Sequence, residues 1–346
     1  MPAGNGVDTC WCMTQGAERF SLKATLCLIG AVLCWSAVPL FLKHFTAFID
    51  GWTANGLRYP LAMLVWLPWL VALLRQGRRA SGFYVRALVP TSVNLAGQCL
   101  WAWAPYYIDP GLIAFVIRLN VIWAIIAAML IFTDERGLIG SRRFWLGMTL
   151  AMSGFVGVSI YGGALEGGAT LVGVLLTLAC SLMWGLYSVT VRWSTRDVDA
   201  RSAFALIGCY TAVGTLILMF VLGEPGQAKT MPLGSFLLLV ISALVGISTA
   251  HVLFYAALAR LGVTICSGAS LASAFITATV SWQIYDERPA PQQWVSGIAL
   301  ICGAAVLIWA QQHLSTPVRT TTNGGKTEQP DDRAPPEAVP QSEQRR

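Results

Sequence analysis

Ten apolar stretches, each long enough to cross a bilayer, leave this chain few folds to choose from. They fall at residues 22–42, 54–74, 87–107, 111–132, 144–163, 170–191, 202–223, 234–257, 263–284 and 293–311. A helix rising 1.5 Å per residue needs about 20 apolar residues to span a hydrocarbon core about 30 Å thick. In lipid, only helices and closed barrels satisfy their own backbone hydrogen bonds. Long uninterrupted runs select the helix, so the spacing predicts an all-α integral membrane protein of ten transmembrane helices. Only 12% of the 346 residues are charged, about half the share in an ordinary soluble domain. The first run is about twice the length of a signal-peptide core and nine more follow, so it reads as a retained span.

Flanking segments read differently. Residues 1–21 form a short polar tail, and residues 312–346 are rich in Pro, Thr and charge without apolar periodicity, a composition that predicts disorder. Of nine cysteines, seven (Cys27, Cys34, Cys99, Cys180, Cys209, Cys266, Cys302) lie within apolar runs, where thiols act as small hydrophobes. Cys10 and Cys12 lack further ligands nearby, so neither a metal nor any other cofactor is expected. The net charge of +6 is dispersed over short loops, which excludes a nucleic-acid surface.

Those loop charges set the orientation, because Lys and Arg accumulate on the cytoplasmic side. Of the 23 Lys and Arg, only Lys43, Lys229 and Arg288 fall in loops on one side, and Arg58 and Arg118 lie inside spans. All the others lie in the two tails, with Lys23 at the inner edge of the first span, and in the loops after spans two, four, six and eight. Both termini are therefore expected in the cytoplasm, with the protein in the cell (inner) membrane.

The chain also repeats itself. Asp134-Glu135-Arg136 after span four matches Asp286-Glu287-Arg288 after span nine at an offset of 152, and "CWSAVPLFLK" aligns with "MWGLYSVTVR" at 149. Gly147 and Leu150 fall on Gly297 and Leu300 at 150. A five-span unit repeated in tandem enters the membrane in opposite senses, so residues 22–163 and 170–311 read as two inverted five-helix repeats. Secondary transporters use this plan, since two equivalent halves can exchange conformations around a midplane site.

The layout resembles the EamA family of the drug/metabolite transporter superfamily. The resemblance covers residues 22–311 and rests on Trp35-Ser36 and Trp184-Gly185 in the first helix of each repeat, Ala104-Pro105 and Ala257-Leu258 before the fourth, and the two "DER" loops. The chain departs from that pattern in lacking a proline midway along the fourth helix of each repeat, near Val121 and Ser273. The resemblance implies a secondary transporter of small organic metabolites, such as amino acids or related anionic or zwitterionic solutes, with export as the expected direction. It implies no enzyme activity. A polytopic membrane enzyme and a non-transporting receptor or assembly subunit are the rival classes; His44, His251 and His313 lie far apart without acid pairs beside them.

Candidate substrate-binding residues follow from polarity at bilayer depth. Arg118 lies about 10 Å into its span, where a charge costs roughly 2.5–3.5 kcal/mol and normally faces a cavity or a partner. No acidic residue lies within a span, so Arg118 awaits backbone acceptors or a ligand carrying negative charge. Arg58, one turn into span two, reads as snorkelling. Asn94 and Gln98 share a face of span three, and Gln98 aligns with His251. His251 is open between a proton relay or substrate contact and a neutral interhelical hydrogen bond.

Pro39 frees an acceptor beside Trp35, which is expected to face Trp184 across the pseudo-twofold axis, with Tyr187 one turn on. Ser270 roughly aligns with Arg118 and is the lining candidate of span nine. Trp101, Trp103, Tyr106 and Tyr107 read as interfacial anchors. The pairs Ser153/Gly157 and Ala299/Gly303 suggest helix packing or a homodimer interface. The expected partners are thus a small-molecule substrate, the lipid bilayer and a second copy.

Overall fold

A computed structural model describes residues 22–75, 81–163, 168–195 and 198–315. The amino tail, and the carboxyl tail from residue 316, lie outside them. The described residues form helices α1 (Leu22–Phe45), α2 (Gly51–Arg75), α3 (Ser81–Arg86), α4 (Leu88–Trp103), α5 (Pro110–Val116), α6 (Asn120–Ile131), α7 (Arg142–Tyr161), α8 (Gly168–Ser194), α9 (Ala200–Leu222), α10 (Gln227–Thr230), α11 (Leu233–Ala243), α12 (Ala250–Ser270), α13 (Ser273–Tyr285) and α14 (Pro291–Ser315). No strand occurs among them. A 3₁₀ turn, Ile117–Leu119, joins α5 to α6, and a π-helical stretch, Leu244–Thr249, joins α11 to α12.

Among the described residues eight helical stretches are long and apolar enough to cross a membrane, so the chain is a multi-pass membrane protein. Two of the ten apolar runs fall short. The 16-residue α4 reaches about 24 Å and passes into a 3₁₀ turn, Ala104–Tyr106; Asp109, which precedes Pro110, is then extended, as a residue before proline tends to be. The 13-residue α13 starts only after a turn at Leu271 and Ala272. The second half has no proline where α4 ends, and helical bonding continues there from Ala250 to Ser270. The contacts along α1 nevertheless reverse. Trp35 meets His251 and Phe254, Leu28 clusters with Ala257, Leu261 and Cys266, and Ser36 then accepts a hydrogen bond from Thr277. The chain therefore turns back between Ala257 and Cys266.

Small residues let the helices approach closely. On α7 a Cβ at Gly154 would lie 2.6 Å from Leu300 Cα of α14, and on α14 a Cβ at Gly303 would lie 2.7 Å from Ala151 Cα of α7. Gly157 likewise meets Ser296. Gly157 and Gly303 thus pack α7 against α14 within one chain. Helices α2 and α9 interlock reciprocally, Met219 filling the space over Gly56 and Met63 the space over Gly208.

Helix α1 packs on α12 and α13, as α8 packs on α4 and α6; α2 packs on α9, α5 on α13, and α7 on α14. Exchanging the two halves returns the same set of pairs.

Pro39 lies within α1 and has no N–H to offer Trp35 O, and α13 bonds the neighbouring carbonyl. Thr277 Oγ1 donates to Ser36 O at 2.8 Å, one residue beyond the acceptor expected from sequence. Thr277→Val is expected to lower stability by about 1 kcal/mol through loss of this buried interhelical bond, whereas Thr277→Ser retains it. Thermal unfolding of the two variants in detergent measures the difference.

Candidate functional site

Two groups of polar side chains sit among the long helices. The first joins α2, α4, α8, α9 and α12. Asn94 Nδ2 donates to Thr211 Oγ1 at 3.0 Å, and its Oδ1 accepts from Gln98 Nε2 at 3.5 Å, as their spacing on one face requires. Asn94 also hydrogen-bonds the buried Tyr59, and Tyr187 lies within electrostatic reach of Tyr59 and Tyr255. Across from them His251 stacks on Phe204, ring centroids 4.3 Å apart, and meets Trp35 edge-on at 5.5 Å. Its Nδ1 lies 2.7 Å from Ile247 O. That carbonyl accepts only, so Nδ1 carries the proton and Nε2 is left as an acceptor. The layer combines aromatic rings with a few amide and hydroxyl groups, chemistry that could orient an organic solute without binding it covalently.

Arg118 holds the second group. It sits in the 3₁₀ turn between α5 and α6, partly exposed, with Nε 3.4 Å from Ala114 O and Nη1 3.3 Å from Ser270 O. Ser270 is the last residue of α12, so its carbonyl has no helical donor ahead of it and the guanidinium takes that place. The Ser270 hydroxyl is turned onto Cys266 O at 2.8 Å, so Arg118 meets the backbone of Ser270 and not its side chain. Among the described residues no carboxylate pairs with Arg118. Both contacts are long, and a guanidinium has five N–H donors, which leaves room for an anionic group at its exposed edge.

Several residues stand elsewhere than expected. Trp35 and Trp184 do not meet: Trp35 packs on Phe254 at 4.9 Å and Trp184 on Trp101 at 4.9 Å, each on the third-span counterpart of the opposite half. Trp101 is therefore an interior residue, 6% exposed, and not an interfacial anchor. Arg58 does not snorkel. It is 1% exposed, and its Nε donates to Ser242 Oγ at 2.9 Å. Depth alone suggested a way out to water, but the rotation of α2 aims the side chain at α11, beside the π-helical stretch.

Tyr59, Tyr255 and Phe204 were not singled out from sequence. Tyr255 stands one turn beyond His251 and Tyr59 beside Arg58, so periodicity carried a signal for both. No group of three or more His, Cys, Asp or Glu among the described residues is placed to hold a metal ion.

Residues 22–160 and 171–309 each match the EamA-like transporter family. No curated protein matches the chain. A solved structure described only as "Crystal structure of protein" aligns with a TM-score of 0.55 over 86% of this chain and 100% of its own, at 20% identity. At that identity the likeness concerns the fold alone.

Proposed function

We propose that this chain, which belongs to the EamA-like transporter family, is a secondary transporter that exports small organic metabolites, amino acids or related anionic or zwitterionic solutes, by alternating access. In this reading ten crossings form two inverted five-helix repeats, residues 22–163 and 170–311, in the cell membrane with both termini in the cytoplasm. The packing supports it, since the main pairs, α1 with α12 and α13, α8 with α4 and α6, α2 with α9 and α7 with α14, survive exchange of the halves. The breaks in the fourth and ninth spans support it too. An offset of 153 carries Arg118 onto Leu271, where the second break falls. Discontinuous helices near the midplane are where transporters of this kind present unpaired backbone to a substrate.

The observation that carries the substrate class is Arg118: a partly exposed cation, held by two backbone carbonyls at a helix break, with no carboxylate partner among the described residues. A solute bearing a carboxylate complements it. The Asn94, Tyr59, Tyr187, His251 and Trp35 layer supplies rings and neutral polar groups for the remainder of the solute.

Counterflow in proteoliposomes tests this directly. Vesicles preloaded with an amino acid are expected to accumulate the labelled solute transiently, and vesicles loaded with its amide, which lacks the carboxylate, are expected to exchange far less. Equal exchange of the acid and the amide would remove the anionic preference, and exchange of neither, across a panel of metabolites, would remove transport itself.

A further inference from the structure

The Lys43 end of the protein, external in the proposed topology, carries an acid in an unusual setting. Glu287 lies in the loop between α13 and α14 and folds back under α5. Its Oε2 accepts from the Gly111 N–H at 3.2 Å. Asp109 occupies the N-cap position of α5 but makes no capping bond. Its carboxylate instead pairs with Lys43 Nζ of α1 at 3.0 Å, and Lys43 also donates to Pro105 O at 3.2 Å. Glu287 thus serves as the cap that Asp109 does not provide. Gly111 makes this approach possible, since a Cβ there would lie 3.1 Å from Oε2 and 3.5 Å from Ala278 Cα of α13.

The second oxygen of the same carboxyl, Oε1, is buried without a hydrogen-bond partner, and so is the neighbouring Ser281 hydroxyl of α13. Charge does not compensate. Lys43 is committed to Asp109, and Arg288 bonds Asp286 at 3.0 Å in an exposed pair. Tyr285, the remaining titratable neighbour, donates its hydroxyl to Leu40 O of α1 at 2.8 Å. Ionised, Glu287 sets a second carboxylate near that of Asp109, with the Ser281 hydroxyl as the one donor in reach of Oε1. A proton on Oε1 removes that like charge and lets the carboxyl donate to Ser281 Oγ.

We propose that Glu287 is a proton-binding site governing this end of the protein: protonated, it seals the junction of α1, α5 and the loop after α13, and ionised, it releases that junction. The consequence for transport rests on the function proposed above; the switch itself does not.

Burial first, and then the Asp109 carboxylate, push the Glu287 carboxyl up to about 7, against the pull of Ser281, the Gly111 N–H and Lys43. Because the closed junction binds the proton more tightly than a solvated carboxyl does, protons favour closure. That stabilisation is complete below pH 4.5 and is lost as pH rises through about 7. Acid therefore keeps this end shut.

Hydrogen exchange of the full chain in lipid nanodiscs tests the switch without a known substrate. After correction for intrinsic rates, protection of the amides at 111–114 is expected to fall about tenfold between pH 6 and pH 8, and to stay constant in Glu287→Gln. Wild-type protection that ignores pH, or a Glu287→Gln protein that loses protection as the wild type does, overturns the proposal. Asp109→Asn keeps the test open if Glu287→Gln does not fold. Removing the neighbouring charge and freeing Lys43 should move the transition down by about one pH unit, and an unmoved transition overturns the proposal equally. A protein that shows the switch yet exchanges no solute would sink the transporter reading and leave the proton site standing.

Discussion

Gly154→Ala is expected to destabilise the protein by about 3 kcal/mol, the reverse of what the same change does on an open helix face. A methyl group at Gly154 meets backbone on both sides, 2.6 Å from Leu300 Cα and 2.7 Å from Ser296 O, so no side chain can rotate away and α7 must part from α14. Lipid gives helices little hydrophobic reason to associate, and close van der Waals fit is most of what holds such a seam. Gly234→Ala is the matched control. It lies in α11 with nothing within 4 Å of the new methyl, and the better helix propensity of alanine should leave it neutral or slightly stabilised.

Gly303→Ala presses on the seam from the other helix, where Ala151 Cα lies 2.7 Å away. The double variant should cost less than the two single ones added, because either methyl already opens the contact. The readout is the temperature at which the detergent-solubilised protein ceases to elute as one species. If Gly154→Ala and Gly234→Ala melt together, the close packing of α7 on α14 is wrong.

The seam shows what the sequence could convey and where it stopped. The pairs Ser153/Gly157 and Ala299/Gly303 announced close packing, yet nothing in their spacing said whether the partner was another helix of the chain or a second copy. The same limit governs the arginines. Hydropathy gives depth along a span, but the rotation of the helix about its axis decides what a side chain meets. Arg58 at the shallower position is enclosed against Ser242, while Arg118 at the deeper one stays partly exposed.

The repeat predicted equivalence, and the two "DER" loops illustrate how far that reaches. The first, Thr133–Gly140, winds into 3₁₀ turns with Arg136 Nε 3.3 Å from Met129 O. In the second, Asp286 adopts a left-handed conformation at φ 53° and Arg288 turns outward onto it. Identical tripeptides diverge because prolines at 289 and 291 follow only the second, holding its backbone extended. Glu287 owes its inward turn to that geometry, which no alignment of the two halves displays.

Arg118→Ala is expected to raise the KM for a carboxylate-bearing solute about ten- to hundredfold, the worth of one hydrogen bond to a charged group, and to leave an uncharged analogue within about twofold. The asymmetry matters because Arg118 has two tasks in this structure. It holds Ala114 O and Ser270 O across the breaks in two helices, and it offers its exposed edge to an anion. Loss of the first task should lower the melting temperature and slow every solute alike, whereas loss of the second acts on the anion alone.

Arg118→Lys separates the tasks. An ammonium keeps the charge but lacks the planar fork that reaches two carbonyls at once, so it should restore part of the anion's KM while melting at the temperature of the alanine variant. Equal losses for acid and amide in both variants would assign Arg118 to the helix breaks alone and move the anion's contact to another donor. The geometry identifies the next one to substitute, because Arg58 is a second arginine within a span, enclosed in α2 with its Nε on the Ser242 hydroxyl.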